Sequence, residues 1–345
     1  MGRSRSKNRE RERRRRAVIV TSPLPSDAGT TPSPRQPWRL LRTVVVAAAV
    51  VGVVLAVAHL ARTRGFLTTP SSFSEVSTGA CEELQTYAAC LEQAQAGDAQ
   101  AQLRLAMAYD AGGGVPADDA AAAAWYRRAA EQGHPLAQFE LGTLYDAGKG
   151  VAQDATEAVR WYRLAADQGL PLAQHNLALL YQQGGVGLAR DTTEAARLYR
   201  QAADQGLALA QYSLATMYLD GSGGLARDGA AAVRWFTLAA EQGMAGAQYN
   251  LGVAYETGEG VPEDHAGAVR WYRRAAEAGL AIAQHKLGTM HVAGDGVPRD
   301  PSEAVRWFRL AAEQGHADAQ NDLALLSETG DALAEDDAEA LLFDK

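Results

Sequence analysis

From about Asp98 onward, apolar and polar positions alternate in two interlocked helical patterns. In the stretch containing Ala137, Leu141 and Tyr145, apolar side chains return every fourth residue and so share one face of a helix. Gly148, Gly150 and Val151 follow, where glycine releases the chain from helical dihedrals and the valine can return to the core. A second stripe then runs through Ala158, Trp161, Ala165 and Ala166, preceded by Asp154, which stands where the free amides of a new helix need an acceptor. The pattern predicts two helices joined by a tight turn.

This pair is repeated. A closing glycine recurs at Gly133, Gly169, Gly206, Gly243, Gly279 and Gly315, always 36 or 37 residues apart. Trp125, Trp161, Leu198, Trp235, Trp271 and Trp307 keep one register, and Gln102, Gln138, Gln174, Gln211, Gln248, Gln284 and Gln320 keep another. A fixed period of this length predicts an all-α solenoid in which each unit buries its face on the next. Residues 98–345 hold six full copies and a truncated seventh, and residues 81–97 have the composition of a capping half-repeat. Ala106, Gly142, Ala178, Ala215, Gly252, Gly288 and Ala324 are all small, so a neighbouring helix is expected to approach closely there. Asp300 and Pro301 combine a cap with a proline at the first helical position.

The recurring pattern, A-Q-x-x-L-G-x-x-Y, G-x-G-V, D, then A-x-x-W-Y-x-x-A-A-E-Q-G, resembles the Sel-1-like repeat family, a relative of the tetratricopeptide repeats. The resemblance covers about 250 residues. It implies a right-handed superhelix of antiparallel helix pairs whose concave face receives partner polypeptides, in adaptor roles rather than catalysis. The third copy departs from the pattern with Leu198 for Trp and Leu188 for Val, and the sixth with His291 for Tyr. The third and fourth copies carry one extra turn residue each, around Gly184–Gly187 and Gly221–Gly224.

Ahead of the repeats the composition changes. Residues 1–42 hold twelve Lys/Arg against three acidic residues, a net +9, which leaves −17 on the rest of a chain whose total is −8. Prolines at 23, 25, 32, 34 and 37 among Ser and Thr predict that this tail has no core of its own. Residues 43–61 contain no Asp, Glu, Lys or Arg, and nineteen residues at about 1.5 Å each span roughly 28 Å, a bilayer's hydrocarbon thickness. A transmembrane helix is expected there, followed by a linker over 62–80. The Arg-rich flank keeps the N-terminus cytoplasmic and places the repeats outside, on the periplasmic side of a bacterial inner membrane. A cleaved signal peptide is the rival reading, disfavoured by the long basic leader. The cluster Arg13–Arg16 is expected to be a topology anchor and not a nucleic-acid patch.

Catalytic constellations are scarce. The glycine pairs recur at the repeat period with no preceding strand, so they are turns and not phosphate loops. The nearest histidine pair, His285 and His291, falls on different helix faces, and no metal or cofactor is expected. Some relatives are described as β-lactamase-like or penicillin-binding, but the only S-x-x-K runs from Ser4 to Lys7 inside the basic tail. Cys81 and Cys90 would be about 13 Å apart on one straight helix, so a disulfide requires Cys81 to fold back from a loop; two free thiols are the alternative.

One polar position of the first helix changes from copy to copy: Arg104, Glu140, Asn176, Ser213, Asn250, Lys286 and Asp322. Core positions repeat because packing repeats, so this row is the candidate contact surface for a protein partner, with ordinary solvated variation as the alternative. The preceding row, Phe139, His175, Tyr212, Tyr249 and His285, is expected to pack between repeats. The chain is therefore expected to be a membrane-anchored, non-enzymatic scaffold. A cell-wall-directed hydrolase or β-lactam-binding protein is the first alternative, and a cytoplasmic nucleic-acid binder, repelled by its own acidic body, the last.

Overall fold

The computed structural model describes residues 84–329, apart from 186 and 187, as fourteen α-helices. Helix α1 (Leu84–Gln95) is followed by six hairpins: α2 (Ala99–Ala111) with α3 (Asp119–Glu131), α4 (Pro135–Ala147) with α5 (Ala155–Asp167), α6 (Pro171–Gln183) with α7 (Thr192–Asp204), α8 (Ala208–Asp220) with α9 (Gly229–Glu241), α10 (Ala245–Thr257) with α11 (His265–Glu277), and α12 (Ala281–Ala293) with α13 (Pro301–Glu313). Helix α14 (Ala317–Thr329) is the first helix of the seventh copy. The expected basic tail, apolar span and linker over 1–80 lie outside the described residues, as do Cys81 and whatever follows α14. No described helix is long and apolar enough to cross a membrane.

Local chemistry explains the boundaries. Every second helix opens on an aspartate whose carboxylate takes the otherwise free amides of the first turn: Asp154 accepts from Thr156 and Glu157 N–H at 2.9 and 3.1 Å, and Asp300 accepts from Glu303 N–H at 3.0 Å. The first helices end on a left-handed glycine, such as Gly148 at φ 69°. Two residues on, Gly150 is required for another reason. A Cβ there would sit 2.0 Å from the Asp119 carbonyl oxygen, because the turn presses on the start of the preceding copy's second helix.

Each helix packs chiefly on its neighbours in sequence, so the core is a series of overlapping apolar clusters, as a one-dimensional repeat array requires. Its largest side chains form a row that the hydrophobic pattern did not single out: Tyr126, Tyr162, Tyr199, Phe236, Tyr272 and Phe308, each no more than 2% exposed. These rings fill the space over the small-residue row. A Cβ at Gly142 would lie 2.9 Å from Tyr162, and one at Gly252 or Gly288 would lie 2.5 Å from Tyr272 or Phe308. The close approach expected at the small residues is therefore a ring lying against backbone. Phe139, His175, Tyr212, Tyr249 and His285 pack on the same rings at centroid separations of 5.3–5.7 Å.

The invariant glutamines join the copies. In each copy the amide of the first-helix glutamine donates to a carbonyl at the end of the preceding second helix: Gln138 to Ala130 O at 3.1 Å and Gln284 to Ala276 O at 3.1 Å. Gln102 makes the same bond to Ala94 O of α1 at 3.0 Å. The glutamine oxygen then accepts from the glutamine that closes its own copy, as Gln132 donates to Gln102 Oε1 at 2.7 Å and Gln168 to Gln138 Oε1 at 2.8 Å. Where the closing residue is Ala278, Gln248 Oε1 is buried with no hydrogen-bond partner.

Candidate functional site

The first helices present one solvent-facing stripe, which in α2 runs through Arg104, Met107 and Ala111. The variable polar row lies along its inner edge. Arg104, Glu140, Asn176, Ser213 and Lys286 are half-buried, and Asn250 is only 2% exposed. The row is thus less free of packing than copy-to-copy variation suggested, because Glu140, Asn176, Ser213, Asn250 and Lys286 each lie beside one of the buried rings.

The hydroxyls of those rings emerge between successive first helices. There they meet a residue from the end of their own copy's first helix and a variable-row residue from the next. Tyr162 donates to Thr143 Oγ1 at 3.1 Å while Asn176 Nδ2 donates to the Tyr162 oxygen at 3.4 Å. Tyr199 donates to Gln182 Oε1 at 3.0 Å. Tyr272 donates to Glu256 Oε2 at 2.7 Å, and Lys286 Nζ binds Glu256 Oε1 at 2.8 Å while lying 5.9 Å from the Tyr272 ring centre. The result is a line of slots, each made of a first-helix residue, a ring, and a variable residue of the next first helix, with Ser213 lying 31 positions after Gln182 and Lys286 lying 30 after Glu256.

Their chemistry differs slot by slot. In the first, Asp110 and Glu140 flank Tyr126, whose ionisation burial and both carboxylates oppose. Glu140 makes no recorded hydrogen bond, and its carboxyl is pushed up to about 7, by burial first and by Asp110 second, with Lys149 pulling part of the way back. Lys149 itself is engaged with Asp110 at 2.6 Å and Asp119 at 3.2 Å. In the fourth slot Phe236 and Leu219 replace tyrosine and the polar residue. Asn250 Oδ1 is left without a partner beside a cavity lined also by Val233 and Val253. Ser213 donates back to Leu209 O at 3.0 Å. Met107 and Leu179 add exposed apolar spots at 41% and 39%.

Of the two cysteines, Cys90 is buried on α1 and disulfide-bonded, while Cys81 lies outside the described residues. The two histidines weighed as a pair stand apart in role. His285 binds Asp322 at 2.8 Å and stacks on His316 at 4.7 Å, whereas His291 is 5% exposed with neither ring nitrogen bonded. The aromatic row appears in the repeat pattern only as the Y of W-Y, and its role as the buried ring of each slot was the feature that sequence reasoning missed. Its signal was present in the residue after each Trp-row position, aromatic in all six copies.

A helical-repeat solenoid with fixed packing rows and one variable, pre-organised polar stripe belongs to the class of repeat scaffolds. The chain is a member of the Sel1 repeat family, whose model matches residues 99–134, 135–170, 171–207, 208–244, 245–280, 281–316 and 317–343. Proteins of this family typically act in protein–protein interaction. Among solved structures, the chain is similar to c5321, a protective antigen present in uropathogenic Escherichia coli strains that displays an SLR fold. The identity is 39% and the TM-score 0.69, over 72% of this chain and 53% of that one. The chain thus spans about half the length of that relative. It is also similar to a Sel1 repeat protein from Oxalobacter formigenes, at 37% identity and TM-score 0.62, over 74% of this chain and 75% of that one. No curated protein matches the sequence.

Proposed function

We propose that the chain is a membrane-anchored scaffold without catalytic function, its solenoid outside the cytoplasm, and that polypeptide partners bind along the stripe of the first helices on the concave face. One observation carries the reading. Six successive slots share a rigid frame of buried rings, joined in five of the six copies by paired glutamines, yet differ in the charge and hydrogen bonding they offer. A surface already ordered before binding loses little side-chain entropy on binding, so its polar groups contribute more of their interaction to affinity. The disulfide at Cys90 supports an oxidising compartment. The charge-free stretch at 43–61 with its basic flank supports the anchor.

The test combines topology with contact. A C-terminal reporter active only outside the cytoplasm is expected to be active in membrane-retained protein. A photo-crosslinking residue at Ser213 is expected to capture polypeptide, while one at Leu238, 44% exposed on the second-helix face, is not. An inactive reporter overturns the topology, and capture confined to Leu238 overturns the groove.

A further inference from the structure

The fifth slot shows what the first one lacks. At the fifth, Glu256 from α10 is held by the Tyr272 hydroxyl at 2.7 Å and the Lys286 ammonium at 2.8 Å, and the lysine lies against the tyrosine ring. At the same three register positions the first slot has Asp110, Tyr126 and Glu140, so a second carboxylate stands where the fifth slot has its ammonium. Tyr126 is 2% exposed, and its hydroxyl keeps its proton because of that burial first and of the two neighbouring carboxylates second. Glu140 is half-buried, and among the described residues no donor or cation is bonded to its carboxylate. Removing a carboxylate from water without a donor or cation is costly, so this group is poised for one.

The neighbouring cation that acts on Glu140, Lys149, is not bonded to it. Lys149, in the turn after α4, is committed to Asp110 and Asp119. From α4 and α5, Asp146 and Tyr162 face the site and add no positive charge. Arg104 of α2 is in the same row, but no ion pair joins it to Glu140 among the described residues.

We propose that the first slot receives the side chain of a lysine or arginine from an extended partner polypeptide, which takes the place Lys286 occupies in the fifth. This rests on the groove reading above and adds the chemistry of one subsite. The ammonium or guanidinium would lie between Asp110 and Glu140 against the Tyr126 ring, using charge-assisted hydrogen bonds and the ring's negative face together.

The full chain is titrated at pH 8 and low salt with three fluorescent decapeptides, each alternating serine with lysine, glutamate or leucine. The lysine peptide is expected to bind best. Glu140→Gln and Glu140→Lys are each expected to weaken it at least tenfold. Glu241→Lys, the same charge change as Glu140→Lys at an exposed position on α9, is expected to change it less than twofold. Thermal unfolding of each variant confirms that it is folded, and Glu140→Lys is expected to be at least as stable as the parent because it recreates the fifth slot's ion pair. Equal weakening by Glu241→Lys would show only general attraction to an acidic body and overturn the subsite. Preference for the leucine or glutamate peptide would overturn the subsite while keeping the groove, and no binding of any peptide would overturn the groove itself.

Discussion

The first and fifth junctions of the solenoid are built on the same frame and err in opposite places. Within copy one the glutamine pair is complete, Gln132 to Gln102, and at its junction with copy two Arg127 reaches the Tyr145 hydroxyl at 2.7 Å. The groove there is electrostatically unsatisfied. Between copies five and six the groove is satisfied by Glu256, Tyr272 and Lys286, while within copy five Ala278 leaves Gln248 Oε1 orphaned and in copy six His291 stands, buried and unbonded, where other copies have the tyrosine. Groove and outer edge are therefore filled independently, because in a nearest-neighbour array a local defect is absorbed by the copies on either side. A defect on the edge reduces stability only, whereas one in the groove also leaves a group facing solvent that a partner could complete.

The strongest way to break the comparison is to collapse the fifth slot. Gly252→Ala puts a methyl 2.5 Å from a Tyr272 ring that is 0% exposed and cannot swing aside. A loss of about 3 kcal/mol is expected in denaturant unfolding. The first junction already carries Ala106 at this position and needs no glycine. A loss below about 0.5 kcal/mol would show that the ring has slack.

Lys286→Gln strips the fifth slot of its cation and should make it resemble the first. Glu256 would keep only the Tyr272 hydroxyl, and a loss of about 2 kcal/mol is expected at pH 7. Combining it with Glu256→Gln should restore much of that loss, as a double-mutant cycle would show.

Glu140→Gln relieves the first slot. Burial raises this carboxyl from its ordinary 4.5 to about 7, so the folded state holds the proton more tightly than the unfolded one. Its contribution to stability is present below pH 4.5 and is lost as pH rises through 7. The variant should gain about 1.5 kcal/mol at pH 8, roughly half of what the full shift represents because the residue keeps part of its surface in water, and almost nothing at pH 4. A gain that does not change with pH would assign the effect to shape instead of charge.

His291→Tyr restores the tyrosine of the other copies, in reach of Arg273. Burial, with Arg273 adding to it and Glu303 and Asp300 opposing, lowers the affinity of this imidazole for a proton. The parent should therefore lose stability as pH falls below about 6.5. The variant should remove that acid sensitivity, read as a melting temperature that no longer falls between pH 6.5 and pH 5.5 as far as the parent's does. Ala278→Gln should complete the glutamine chain and add up to about 1 kcal/mol at any pH. No gain would mean that Gln248 is already satisfied by water.

Much of the frame was legible without coordinates. The closing glycines, the Asp caps at 154 and 300, and the small residue at 142 each act through local backbone chemistry that a sequence displays. Less visible was the partner of each. Gln138 recurs conspicuously, but nothing in its spacing says that it bonds Ala130 O behind it and Gln168 ahead. Glu140 was identified by its variability, yet its weakened acidity depends first on its burial in the folded chain and then on Asp110, thirty residues earlier.

The sequence by itself determined the repeat, its two helices and the positions of its turns, because periodicity, capping and left-handed glycine act within a few residues. It also carries the charge-free stretch and basic flank on which the proposed anchor rests. Only the tertiary structure decided that the glutamines pair with one another along one edge while the residue after each Trp-row position meets the variable row along the groove. Those contacts join residues about 30 positions apart, and whether a buried polar group there is satisfied depends on what the neighbouring copy places opposite it.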